Sequence, residues 1–105
     1  MEANLPADTQ LNGIHFMLPT PFKENGDVDL APFKRLVDCA AETGCTGVVG
    51  LGVMGEAHRL ADDERLAVLD AIVEAADGRI TVTVGVSSES HALVARRTKE
   101  AQELG

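Results

Sequence analysis

Three times along the chain a short run of strand-forming residues gives way to a longer run of helical period, each change marked by glycine, proline or asparagine. Parallel strands need a crossover of a dozen or so residues, and an amphipathic helix is the connection that buries its own apolar stripe against the strands it joins. The first run, Ile14-His15-Phe16-Met17-Leu18, stops at Pro19-Thr20-Pro21, which neither a strand nor a helix interior tolerates. Asn25-Gly26-Asp27 reads as a turn, because Asn and Gly accept left-handed backbone cheaply. Asp29 is then placed to cap a helix with Leu30, Phe33, Leu36, Val37, Ala40 and Ala41 on one face, Pro32 in its first turn and Gly44 at its close. Gly47 to Leu51 is apolar on both faces, as a parallel strand covered on both sides requires.

The spacing predicts a second helix over 62–76, with Leu66, Leu69, Ile72, Val73 and Ala76 on its stripe. Asp62, Asp63 and Glu64 load its first turn with the charge the helix dipole favours, and Asp77-Gly78 ends it. Arg79 to Val86 alternates as a third strand, and a third helix is expected from Ser88 as N-cap, carrying Leu93, Val94, Ala101 and Leu104. The order β-α-β-α-β-α with short connections implies an α/β chain of three parallel strands in the order 1-2-3, helices on one side. The domain reading is a polar segment over 1–12 and an α/β domain over 13–105. A closed (β/α)₈ barrel takes roughly 250 residues, so these units amount to about three of its eight. The expectation is either a small open sandwich or the N-terminal three βα units of such a barrel. In a three-stranded sheet, Phe16, Leu51 and one alternate set from Ile80 to Val86 are expected to face water.

Charge narrows the partners. With 9 Lys+Arg against 17 Asp+Glu the formal net charge is −8, and neither nucleic acid nor an anionic membrane is an expected partner. The aromatic residues are three Phe, which offers no stacking platform for single strands. Cys39 and Cys45 match no metal-ligand spacing and read as two small buried thiols in a reducing cytoplasm, and the stretch Val48 to Met54 is far short of the ~20 residues that span a bilayer. No cofactor and no metal is expected.

Gly50-Leu51-Gly52-Val53-Met54-Gly55-Glu56 satisfies G-x-G-x-x-G directly after a strand, which invites a dinucleotide-binding reading. That motif needs a helix starting at the glycines and a carboxylate at the end of the next strand. Here Glu56-Ala57-His58-Arg59-Leu60 intervenes, and the third strand ends Gly85-Val86-Ser87-Ser88. A rival reading is a backbone nest, in which successive N–H groups around Val53, Met54 and Gly55 hold an anion.

The string Gly13-Ile14-His15, Thr20-Pro21-Phe22, Asn25-Gly26-Asp27-Val28-Asp29 and Gly50 to Leu60, with Glu64-Arg65 and Gly85-Val86 behind it, closely resembles the opening of the dihydrodipicolinate synthase and N-acetylneuraminate lyase family. The resemblance runs from about Gly13 to Gly105 and implies a (β/α)₈ barrel, often a homo-oligomer, that forms a Schiff base between a lysine and pyruvate or another 2-keto acid. It also implies that the loop after the second strand binds the keto-acid carboxylate, which falls here on Gly52, Val53, Met54 and Gly55. Where many members carry two hydroxyl residues, this chain has Val53 and Met54. The family's Schiff-base lysine and partner tyrosine lie on its sixth and fifth strands, beyond the matching segment, so no residue here is assigned a catalytic role. The chain has no Tyr, and its lysines, Lys23, Lys34 and Lys99, fall on a loop and two helices without the desolvation a Schiff-base amine needs.

The functional expectation is therefore the N-terminal part of a 2-keto-acid lyase, an aldolase or dehydratase, contributing its carboxylate-binding loop. The alternatives are a non-catalytic α/β module and a nucleotide-binding α/β domain. Glu56 is expected as a buried acid bracing the loop through backbone N–H groups, and Arg59 as a loop charge.

Overall fold

The computed structural model describes residues 12–104. Strand β1 is His15–Met17, β2 Gly47–Gly50 and β3 Thr81–Val84, alternating with helices α1 Pro32–Glu42, α2 Asp62–Ala76 and α3 His91–Leu104. The strands form one parallel sheet in the order β1-β2-β3, with Phe16 opposite Val48, and Val48 opposite Val82. The α/β expectation of three βα units stands.

All strands are shorter than their apolar runs. Parallel pairing extends only as far as the shared neighbour, and β2 ends when Leu51 turns into the left-handed region at φ 58°. Arg79, Ile80 and Val86 therefore flank β3 rather than belong to it.

One face of the sheet carries the core. Val48 and Gly50, two residues apart, point toward the helices, and a Cβ on Gly50 would stand 2.5 Å from Ile72 Cδ1. Phe33, Val37 and Ala40 of α1, Val48, and Val68, Leu69, Ile72 and Ala76 of α2 form one buried cluster with Leu18 and Leu51. Ala101 and Leu104 of α3 pack against it beside Val82 and Val84. Phe16 of β1 is 39% exposed, but on the helix-bearing face in register with Val48 rather than on the open face, because α1 lies against β2 and α2 against β3 and β1 is left uncovered. The opposite face carries the row Met17, Val49, Thr83, with Met17 and Thr83 exposed.

Four local expectations are corrected. The two thiols are not a buried pair: Cys39 is exposed, off the Phe33, Val37 and Ala40 stripe of α1, and Cys45 is half-buried. Leu51 does not face water; its positive φ swings the side chain into the core, where it is 3% exposed. Leu66 lies off the α2 stripe, and Arg65 and Val68 take the buried positions instead. The caps also shift: Ala31 precedes α1, while Asp29 accepts the Ala31 N–H from two residues upstream. At α3 the Ser90 hydroxyl accepts the Leu93 N–H, and Ser88 accepts only from Ser90. The end of α2 is as read, with Asp77 and Gly78 both at positive φ.

Candidate functional site: the glycine loop after the second strand

The chain leaves β2 through a turn in which Gly55 N–H bonds to the Gly52 carbonyl at 3.1 Å and Glu56 N–H to the Val53 carbonyl at 2.9 Å. Val53 and Met54 occupy the tip, 86% and 59% exposed. The turn consumes the N–H groups of Gly55 and Glu56. Those of Gly52, Val53 and Met54 meet no acceptor among the described residues. Of the anion nest read from sequence, Val53 and Met54 thus remain as donors, while Gly55 is committed to the turn.

The loop is wedged between its neighbours. A Cβ on Gly55 would lie 3.2 Å from the Thr20 hydroxyl, 3.3 Å from Leu51 N and 3.4 Å from the Leu18 carbonyl, so the loop folds down tightly onto the segment after β1 and any larger residue would have to push it away. A Cβ on Gly52 would lie 3.3 Å from Met17 Cε and 3.8 Å from Val49 Cγ1, placing that glycine over the open sheet face. On the other side Gly85 donates its N–H to the Gly50 carbonyl at 3.0 Å. Any side chain on Gly85 would collide with the Leu51 carbonyl. The three segments that follow β1, β2 and β3 thus meet at the C-terminal edge of the sheet, where open α/β sheets and barrels place their ligands.

The structure does not give the other sequence-flagged groups that role. Glu56 is not a buried brace: at φ 52° its carboxylate reaches Arg59 at 3.4 Å, and both side chains are well exposed. Arg59 is accordingly paired. His15 shares a hydrogen bond with the Asn12 carbonyl at 3.3 Å on the sheet edge away from the loop, and His58 is exposed. Lys23, Lys34 and Lys99 are exposed. Among the described residues no three His, Cys, Asp or Glu side chains come together as a metal site, and no helix is long and apolar enough to cross a membrane. A dinucleotide site is disfavoured by the loop itself, since a 3₁₀ turn over Ala57–Arg59 and Leu60 separate the glycines from α2.

Thr20, which the sequence places just after the first strand, stands buried behind Gly55; sequence reasoning missed Arg65. The Arg65 guanidinium is buried, donates to the Gly85 carbonyl at 3.0 Å, and has its pKa lowered first by burial and then by the nearby Arg97. An arginine at a stripe position of α2, twenty residues ahead of a strand-ending glycine, was the available signal.

The dihydrodipicolinate synthetase family matches residues 10–105. An uncharacterized DapA-like lyase of Rhizobium meliloti is 42% identical over 97 residues, covering 92% of this chain and 32% of the relative. A 4-hydroxy-tetrahydrodipicolinate synthase of Salinibacter ruber is 40% identical over 83 residues, covering 79% of this chain and 28% of the relative. Among solved structures, the chloride-inhibited dihydrodipicolinate synthase of Acinetobacter baumannii complexed with pyruvate superposes with a TM-score of 0.85 at 31% identity, covering 89% of this chain and 32% of that one. The chain spans about a third of the length of the relatives it matches.

Proposed function

The chain belongs to the dihydrodipicolinate synthetase family, and from that premise we propose that it supplies the carboxylate-binding loop of a Schiff-base-forming lyase acting on pyruvate or a related 2-keto acid. The carrying observation is that the N–H groups of Val53 and Met54, at the exposed tip of the turn, meet no acceptor among the described residues, as is true of Gly52 before them, while those of Gly55 and Glu56 are bonded within the turn. Two main-chain donors directed at one carboxylate form charge-assisted bonds and need no side-chain hydroxyl. That is why Val53 and Met54 are compatible with the role. The Schiff-base lysine of this reading belongs to the part of the relatives that the chain does not span. The present residues bind and orient the substrate; they do not react with it.

The test is a titration of ¹⁵N-labelled protein with pyruvate, with acetone as the ketone that lacks a carboxylate. Pyruvate is expected to shift the Val53 and Met54 amides saturably and acetone to leave them in place. Val53→Pro suits the second position of the turn but removes one donor. A hydrogen bond to a charged group is worth about 1.5–3 kcal/mol, so the variant should bind at least about tenfold more weakly. Equal responses to the two ligands, or an unchanged affinity in the variant, would defeat the reading.

A further inference from the structure

Arg65 is the least exposed charged side chain of the described residues, at 6%, and it makes no ion pair there. Asp62 and Glu100 act on its charge only from beyond ion-pair distance, and burying a guanidinium without a directly bonded carboxylate is costly, so a fold that keeps one needs what the group holds. Its Nη2 donates to the Gly85 carbonyl at 3.0 Å. Gly85 in turn donates its N–H to the Gly50 carbonyl at 3.0 Å, and a Cβ on it would collide with the Leu51 carbonyl and lie 3.5 Å from Gly52 Cα, so its backbone packs directly on that of Leu51 and Gly52. A neighbouring arginine works on the same segment from the other side: Arg97 donates to the Ser87 carbonyl at 2.9 Å and pairs with Asp62 at 3.5 Å.

We propose that Arg65 is the positioning residue of the glycine loop, fixing Leu51 and Gly52 through the Gly85 carbonyl and so aiming the Val53 and Met54 N–H groups. The inference rests on the carboxylate-loop reading for its consequence, but the mechanical link does not. Arg65 makes one hydrogen bond to the loop after β3, and that loop makes direct backbone contact with the one after β2. Movement at Gly85 is therefore transmitted to Leu51 and Gly52 with no side chain in between.

The experiment compares amide spectra of ¹⁵N-labelled protein for the native sequence, Arg65→Met and Arg65→Lys, first without ligand and then with pyruvate. Without ligand, Arg65→Met is expected to displace the Gly85, Leu51 and Gly52 amides together. Arg65→Lys keeps one donor for the one carbonyl, and should return all three most of the way. With pyruvate, Arg65→Met should weaken binding about tenfold and Arg65→Lys less than about threefold. Arg79→Met is the control, because Arg79 also holds main-chain carbonyls, those of Ala75 and Ala76, far from the loop. It should lower the melting temperature and leave pyruvate binding unchanged. Should Arg65→Met not fold, Arg65→Lys decides alone: its three amides must move in step. Gly85 moving without Leu51 and Gly52, or Arg65→Met binding pyruvate like the native protein, overturns the inference. A native protein that ignores pyruvate sinks the carboxylate reading, and the ligand-free comparison still judges the link.

Discussion

Adding one methyl group at Gly50 tests whether the sheet face under the loop is as tightly closed as the coordinates indicate. A Cβ there would stand 2.5 Å from Ile72 Cδ1 and 3.9 Å from Ile72 Cγ1. Carbon atoms prefer separations of about 3.5–4.0 Å, so the new methyl lacks at least about 1 Å of room on one side and has ordinary clearance on the other. Ile72 is fully buried in one cluster with Val48, Val68 and Leu69, so its terminal methyl has to shift within a packed core to make room. Overpacking of this kind costs about 1–3 kcal/mol, so Gly50→Ala should melt roughly 4–24 °C lower at the 4–8 °C per kcal/mol typical of a domain this size. Ile72→Val alone should cost about 0.5–1.5 kcal/mol through the cavity it leaves. In the double variant the methyl moves from one side chain to the other, and the cavity receives the added Cβ. Urea unfolding of the four proteins should therefore give a favourable coupling of about 1–2 kcal/mol, with Gly50→Ala/Ile72→Val more stable than Gly50→Ala. Strict additivity of the two costs would refute the reasoning, because it would mean that Gly50 does not face Ile72.

The Asp38 carboxyl is held below its ordinary range, first by the hydrogen bond from Arg79 and then by that from Lys34, at 2.7 and 3.2 Å. Its folded pKa lies under the unfolded one of about 3.9, so its contribution is complete above that value and fades as pH falls through the folded pKa. Melting curves of Asp38→Asn should lack that acid-limb component, and an unchanged acid limb would count against the pairing. Val53→Thr/Met54→Thr alters only exposed side chains and should shift unfolding by less than about 0.5 kcal/mol, with pyruvate-induced amide shifts retained. Pyruvate with borohydride should trap no adduct on this 105-residue chain, whose lysines are all exposed, while protein carrying the remaining barrel strands should gain one adduct by mass.

How much could be read beforehand depended on whether a residue's neighbours in sequence were also its neighbours in space. Helix α2 was readable at both ends, since Asp62 to Glu64 and Asp77-Gly78 act through local backbone chemistry. The strand order followed from connection length. Strand ends did not, because β3 pairs only while β2 persists, and β2 stops at a leucine where no sequence rule anticipates positive φ. The same limit hid Arg65. Its charge pointed to the surface, and only the arrival of Gly85 beside α2 gives that charge a buried partner. The glycine loop itself was conspicuous, but which of its N–H groups stay unbonded depended on turn hydrogen bonds invisible in a string of letters.

Leu51 carries a consequence for how the loop moves. Left-handed backbone at a leucine costs about 1–2 kcal/mol, and full burial of its side chain returns about 1.5–3 kcal/mol. The backbone bend and the buried side chain belong to one residue, so neither relaxes without the other. A ligand-binding loop usually breathes at little cost, drawn from the least stable part of its fold. This one is latched: releasing the bend means drawing Leu51 out from among the buried core residues. The tip residues Val53 and Met54 are therefore open to solvent while the bend beneath them is held by the core. Such a bend opens with the core or not at all, and under the carboxylate-loop proposal a ligand would meet it with the orientation already set.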